Sequence, residues 1–225
     1  MLRIISIYSG ILPIIFYFLF FNRNKKGGLW VIFLYVLISA LTDLSYIIFD
    51  ISDKVSFYFL STFTLIEYSL FTLFLYLNFN KRIFKQILLV VSLLFYLFCF
   101  YSIATEKDFS FDTLPASIEA ILIIFFCVLY FFEQINNPET SFIYSSKKFW
   151  VATAFLIYLS GTLFLFIYTS DLSVDQQDVV WPINYVFNII KNILIALAFF
   201  LPVYKAQSFG QGPYSDFLEK PYNPL

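Results

Sequence analysis

Apolar runs separated by short charged stretches dominate the chain. Seven runs can be marked, at about Ile4–Phe21, Gly28–Phe49, Val55–Phe79, Phe84–Ile103, Thr113–Phe132, Phe149–Thr169 and Val180–Tyr204. Each is close to the roughly 20 residues that cross a hydrocarbon core about 30 Å thick at about 1.5 Å per residue. The pattern predicts an all-α polytopic membrane protein with seven transmembrane helices. Residues 1–204 then form one transmembrane domain. The polar, Gly- and Pro-rich residues 205–225 (KAQSFGQGPYSDFLEKPYNPL) form a flexible cytoplasmic tail, with a partner-docking peptide as the alternative. The first run has only Arg3 ahead of it, and its basic cluster (Arg23, Lys25, Lys26) comes after it. No small-residue cleavage site follows, so it reads as a retained helix rather than a signal peptide.

Loop charge sets the expected orientation. The first, third and fifth loops carry Arg23, Lys25, Lys26, Lys81, Arg82, Lys85, Lys147 and Lys148, and Lys205 follows the last helix. The second, fourth and sixth carry Asp50, Asp53, Glu106, Asp108, Asp112, Asp171, Asp175 and Asp178, with only Lys54 and Lys107 against them. Lys and Arg concentrate on the cytoplasmic side, so the expectation is N-terminus out and C-terminus in. An odd number of helices agrees with that alternation.

The chain also matches itself. KKGGLWV (Lys25–Val31) opens the second helix and KKFWV (Lys147–Val151) the sixth, and the same helices end in Asp50-Ile51-Ser52 and Asp171-Leu172-Ser173. Leu12-Pro13 corresponds to Leu114-Pro115. TLIEYSLFTLFLYL from Thr64 lies on NIIKNILIALAFFL from Asn188, so that Glu67 falls opposite Lys191 and Thr64 opposite Asn188. The expected plan is 3+1+3: repeat A over about 4–79, a spacer helix over about 84–103, and repeat B over about 113–204. Parallel repeats of this kind are related by an axis along the membrane normal.

Composition sharpens the class. Of the 225 residues, 60% are hydrophobic and 13% charged, against about 25% charged in soluble domains. The surrounding solvent is therefore expected to be a lipid bilayer, most simply the bacterial inner (cytoplasmic) membrane. A net charge of −1 leaves no nucleic-acid footprint. The chain has no histidine, which removes His-based catalysis and the usual zinc and haem ligand sets. No cofactor is expected. Cys99 and Cys127 fall in apolar runs towards opposite membrane faces and read as small hydrophobes rather than a disulfide.

Four ionisable residues interrupt the apolar helices: Asp43, Glu67, Glu119 and Lys191. Asn184 and Asn188 precede Lys191 on its helical face. Counting at about 1.5 Å per residue puts Glu67 and Lys191 roughly 16–18 Å deep, and Asp43 and Glu119 about 10 Å from the outer face. Glu67 and Lys191 are the natural ion pair. Asp43 shares a face with Ser39 and Tyr46, Glu119 with Pro115, and Ser117 lies near. Asp43, Glu67, Glu119, Lys191, Asn184, Asn188, Tyr46 and Thr64 together predict a polar pocket open outward and floored by the Glu67–Lys191 pair. Intramembrane charges are usually functional; the bland alternative is a helix lock with the shallow acids hydrated separately. A cation or small amine is expected to bind between Asp43 and Glu119 from outside, more weakly as pH falls.

In architecture alone, the seven-helix, N-out, 3+1+3 plan resembles the SWEET and PQ-loop carriers, and more loosely the opsins. The carrier resemblance implies a small polar solute or ion. No proline-glutamine pair ends the first helix, and only Gly10 and Gly161 lie inside helices. The opsin resemblance implies a retinal Schiff base at Lys191, but Phe187 stands where an acid belongs. Single carboxylates on separate helices, and Ser160-Gly161-Thr162 with no base near, do not suggest an enzyme. The favoured reading is a sensory, receptor-like or assembly module, with a membrane partner protein or a second copy as candidate partners. A SWEET-like carrier is the alternative and an opsin-like protein the remote one.

Overall fold

The computed structural model describes residues 1–25, 27–48, 53–105, 113–136, 143–169 and 172–202, with backbone alone at 46–48, 53–54, 113, 174–175 and 178. Among these residues the fold is all-helical, without strands. The elements are α1 (Leu2–Ser9), α2 (Ile11–Leu19), α3 (Phe21–Asn24), α4 (Leu29–Ile48), α5 (Asp53–Asn78), α6 (Arg82–Thr105), α7 (Thr113–Ile135), a 3₁₀ turn at Ile143–Ser145, α8 (Lys147–Tyr168) and α9 (Val174–Phe200). Six stretches are long and apolar enough to cross a membrane: Leu2–Leu19, Val55–Asn78, Arg82–Thr105, Leu114–Ile135, Lys147–Tyr168 and Val179–Phe200. The second expected segment contributes a shorter apolar helix, Leu29–Ser45. The expected tail lies outside the described residues.

Local chemistry explains the helix ends. Pro13 sits in the first turn of α2, where its missing N–H costs little. Gly27 and Gly28 take φ of 73° and 79°, a left-handed conformation that a side chain resists, and α4 starts directly after them. The helix α9 begins well before the expected Val180: the Ser173 backbone N–H donates to Gln176 Oε1 (3.0 Å), and Gln177 Nε2 donates to the Thr169 and Leu172 carbonyls. These bonds serve backbone groups that a helix terminus otherwise leaves unmatched. Its end comes at Phe200, because Leu201 precedes Pro202 and adopts ψ 143°.

Packing has a clear order. α8 lies against α7 and α9, α9 also against α1 and α2, α4 against α5, and α5 against α7. α6 stands at the edge, touching α5 and α7. It buries one stripe, Leu88, Ser92, Phe95 and Cys99, and exposes Leu89, Val90, Leu93, Leu94, Leu97 and Phe100. An apolar outer face of that length suits a bilayer. Hydrogen bonds between Tyr68 and Ser92 (2.9 Å) and between Ser69 and Tyr96 (2.8 Å) join α6 to α5. Cys99 and Cys127 are both buried, and among the described residues neither is in a disulfide.

The end that carries the first, third and fifth connections is tightly tied. Lys147 Nζ donates to Asn24 Oδ1 (2.6 Å), and Asn24 Nδ2 donates to the Phe199 carbonyl (3.1 Å). The Glu133 carboxylate accepts from the backbone N–H groups of Asn80 and Lys81 just ahead of α6, an anion at a helix N-terminus. Above them, Tyr17 stacks on Phe33 (4.1 Å between centroids) and meets Phe199 (5.2 Å), and Phe71 packs on Phe155 (4.0 Å).

At Gly161, α8 packs closely on α9. A methyl group there runs into the Phe187 ring, and small residues are what let helices approach this closely. Overpacking of this kind costs about 1–3 kcal/mol, more than the roughly 1 kcal/mol that alanine gains over glycine in helix propensity. Gly161→Ala is therefore expected to lower the melting temperature of the purified protein, and adding Phe187→Leu to restore part of the loss. An unchanged melting temperature in the single variant means the ring swings aside and the contact is not tight.

Candidate functional site

Six helices converge on one cavity of about 450 Å³. α1 brings Arg3 and Ser6; α4 brings Ser39, Thr42 and Asp43; α5 brings Thr64 and Glu67. α7 contributes Ala116 and Glu119, α8 Tyr158, and α9 Trp181, Asn184, Tyr185, Asn188 and Lys191. The start of α1, the end of α4, the starts of α5, α7 and α9 and the end of α8 all lie at the end of the bundle that carries the second, fourth and sixth connections. The cavity thus runs from exposed Arg3 at its mouth to Lys191, 2% exposed, at its floor.

Helical periodicity assembles each wall. On α9, Trp181, the adjacent Asn184 and Tyr185, Asn188 and Lys191 recur one turn apart, at three or four residues, and so share a face. On α4 the stripe is Tyr35, Ser39 and Asp43, and on α5 it is Thr64 and Glu67. Pro182 lies inside α9 among the upper wall residues and deletes one backbone hydrogen bond there.

At the floor, Lys191 Nζ donates to the Tyr35 hydroxyl at 2.6 Å. The Glu67 carboxylate interacts with the same hydroxyl. Tyr35 thus engages both members of the expected Glu67–Lys191 pair and relays between them. The ammonium also lies 4.1 Å from the centroid of the Tyr158 ring and 5.1 Å from that of Tyr35, distances at which an aromatic face attracts a cation. Tyr158 is held in turn by its hydroxyl, which donates to Asn184 Oδ1 at 3.3 Å. Tyr35 rests on Phe155 with centroids 5.0 Å apart. Glu67 is 8% exposed, and its Oε1 is buried without a hydrogen-bond partner among the described residues.

Higher up, Asn188 Nδ2 donates to Ser6 Oγ (2.9 Å), and one turn below Asn192 Nδ2 donates to Ser9 Oγ (2.8 Å). These bonds fix α1 against α9. Asp43 is half-buried, and the charges that bear on it are Lys191, Glu67 and Arg3. Glu119, 4% exposed, lies on the same cavity, and its charge acts on Tyr68 and Tyr158. Glu67 lines the same cavity as Asp43 and Glu119, so that three carboxylates share it.

Of the residues singled out in the sequence, Asp43, Glu67, Glu119, Lys191, Asn184, Asn188 and Thr64 all line this cavity. The side chain of Tyr46 lies outside the described residues. Arg3, Tyr35, Tyr158, Trp181 and Tyr185 were not singled out. Carrying the α4 and α9 stripes one further turn in each direction finds Tyr35 and Trp181.

The relay yields a test. Removing one member of a buried charged set leaves the others unanswered, at about 3–5 kcal/mol in soluble proteins and less where a bilayer-embedded reference state finds other partners. Glu67→Gln or Lys191→Met alone is expected to lower the melting temperature more than the double replacement does. Tyr35→Phe, which removes the bridging oxygen, is expected to behave like either single change and to add little to the double. A double-variant loss equal to the sum of the singles means the three groups act independently.

No protein-family model, curated protein or solved structure matches the chain.

Proposed function

We propose that the chain is a seven-helix membrane-embedded receptor-like module, N-terminus out, whose cavity admits a small polar ligand from the outer face. One observation carries the reading. Polar side chains from six helices, among them two cations and three carboxylates, gather in one cavity. Burying ionisable groups at this depth is expensive, and convergent polar groups in a largely apolar cleft are the usual mark of a ligand site. In this reading α4 completes the seven crossings, its 20 helical residues reaching about 30 Å.

A carrier of SWEET-like architecture is the second reading, and the order of packing favours it in one respect. α9 lies between α8 and the α1–α2 pair as α5 lies between α4 and α7, and α6 contributes nothing to the cavity. That order supports reading the chain as a 3+1+3 repeat. The receptor-like reading is preferred because the floor rests on Phe155 and Phe71 and because Gly161 is wedged against Phe187. Neither feature suits a hinge. An opsin-like Schiff base at Lys191 is disfavoured by the ammonium's engagement with Tyr35 and Tyr158.

Cysteine accessibility in sealed cells tests the reading. Thr64→Cys inside the cavity and Lys107→Cys on the fourth connection are expected to react with a membrane-impermeant thiol reagent. Lys25→Cys and Arg82→Cys are expected to react only after the cells are opened. Labelling of the second pair in sealed cells overturns the orientation, and an inert Thr64→Cys in a folded protein overturns the open cavity.

A further inference from the structure

At the end of the bundle opposite the cavity, three cations meet with no acid paired to them. Lys147, the first residue of α8, is 7% exposed. Its ammonium donates to one group among the described residues, the neutral side-chain oxygen of Asn24. The charge that bears on it is Arg23, next to Asn24 at the end of α3. Lys148 joins them, because a methyl group on Gly27 would lie 3.5 Å from its Cε, so its stem runs beside the Gly27–Gly28 turn. Among the described residues none of the three is ion-paired. The Glu133 carboxylate at the same end is committed to the backbone N–H groups of Asn80 and Lys81. A buried cation without a counter-charge is costly, and like charges beside it add repulsion. The ammonium also has two donors beyond the one given to Asn24. The missing group is an anion.

Depth in the bilayer indicates what carries it. Trp30 and Trp150 lie in the first turns of α4 and α8, at this same end. Trp30 is 44% exposed, and Trp150 Nε1 donates to the Tyr144 carbonyl. Tryptophans, apolar in body and polar at one edge, gather at headgroup level. The end of α3, the Gly27–Gly28 turn and the start of α8 therefore lie where lipid phosphates lie. Basic pockets between transmembrane helices at that depth take anionic headgroups, and guanidinium and ammonium groups both bind phosphate oxygens well. We propose that an anionic phosphate, carried by a lipid headgroup, binds between the end of α3 and the start of α8, held by Arg23 and Lys148 with the buried Lys147 behind them.

The test uses the full-length protein in an uncharged detergent. The probes are dioleoyl phosphatidylglycerol, phosphatidylcholine with the same acyl chains, and inorganic phosphate. Phosphatidylglycerol at a hundredfold excess over its Kd is expected to raise the melting temperature by roughly 5 °C or more, and phosphatidylcholine to do little. Arg23→Gln and Lys148→Gln, at positions that are not buried, are each expected to shrink the shift and together to abolish it. Arg82→Gln with Lys85→Gln, near the third connection, is expected to leave it whole. A shift from inorganic phosphate equal to that from phosphatidylglycerol supports the phosphate site with a soluble anion as its source. Equal stabilisation by the two lipids, with none from inorganic phosphate, overturns the proposal. So does an equal loss in both sets of variants, the result expected if anionic lipid merely collects around every basic connection. Should the Arg23 and Lys148 double variant fail to fold, either single change carries the comparison.

Discussion

A protonated amine buried at the centre of an apolar bundle constrains everything packed around it. Lys191 is 2% exposed, and no nearby water shell is available to stabilise it by default. The protein answers with a hydroxyl from α4, an aromatic face from α8 and carboxylates from α4 and α5. Each answer fixes one helix relative to α9. The ammonium is thus a register pin for four helices, and α1 is added to the same set through Asn188 and Asn192. Without the pin, apolar helices in an apolar solvent have little hydrophobic drive to choose one arrangement.

The two ends of the bundle are built from different side chains, and the cavity follows from that difference. Towards the first, third and fifth connections the interior is filled by rings: Tyr17, Phe33, Phe71, Phe74, Phe79, Tyr130, Phe155 and Phe199. Towards the opposite end several inward positions are small or short and polar, among them Ser6, Ser39, Thr42, Thr64 and Ala116. Short side chains do not fill the space that phenylalanines fill below, so a void of ligand size remains. The voids that persist in packed interiors without function are far smaller, which is why the volume and the polarity of this one point the same way.

Much of this was legible in the sequence, because the strongest signals are also the costliest features. A charge in an apolar run is conspicuous, and helical periodicity was enough to group Asp43, Glu67, Glu119, Lys191, Asn184, Asn188 and Thr64 at one site. Tyr35 escaped because tyrosine is common here, with 17 in the chain, and none stands out by type. It could be recognised only as the turn below Ser39 and Asp43. The start of α9 escaped for a related reason: hydropathy marks where lipid begins, whereas a helix begins where its backbone is capped. The serine and glutamine that cap it lie in a polar stretch. The Glu67–Lys191 contact was read as direct because equal depth says nothing of lateral distance, and a third side chain fits between them.

The proposed repeat gives a reason for the pairing of opposite charges at the floor. If α5 and α9 are equivalent elements, Glu67 and Lys191 occupy equivalent positions facing the axis between the halves. Identical halves would bring two like charges, or two uncharged groups, to such a pair of positions. Like charges there repel strongly in a low-dielectric interior, so a duplicated ionisable residue can persist only if one copy changes sign or loses its charge. A glutamate on one side and a lysine on the other satisfies that condition. The compensation is incomplete at atomic scale, since Tyr35 takes the space between them and Glu67 Oε1 stays unmatched. If the halves are equivalent, the asymmetry that removes the repulsion also leaves Glu67 Oε1 without a donor among the described residues.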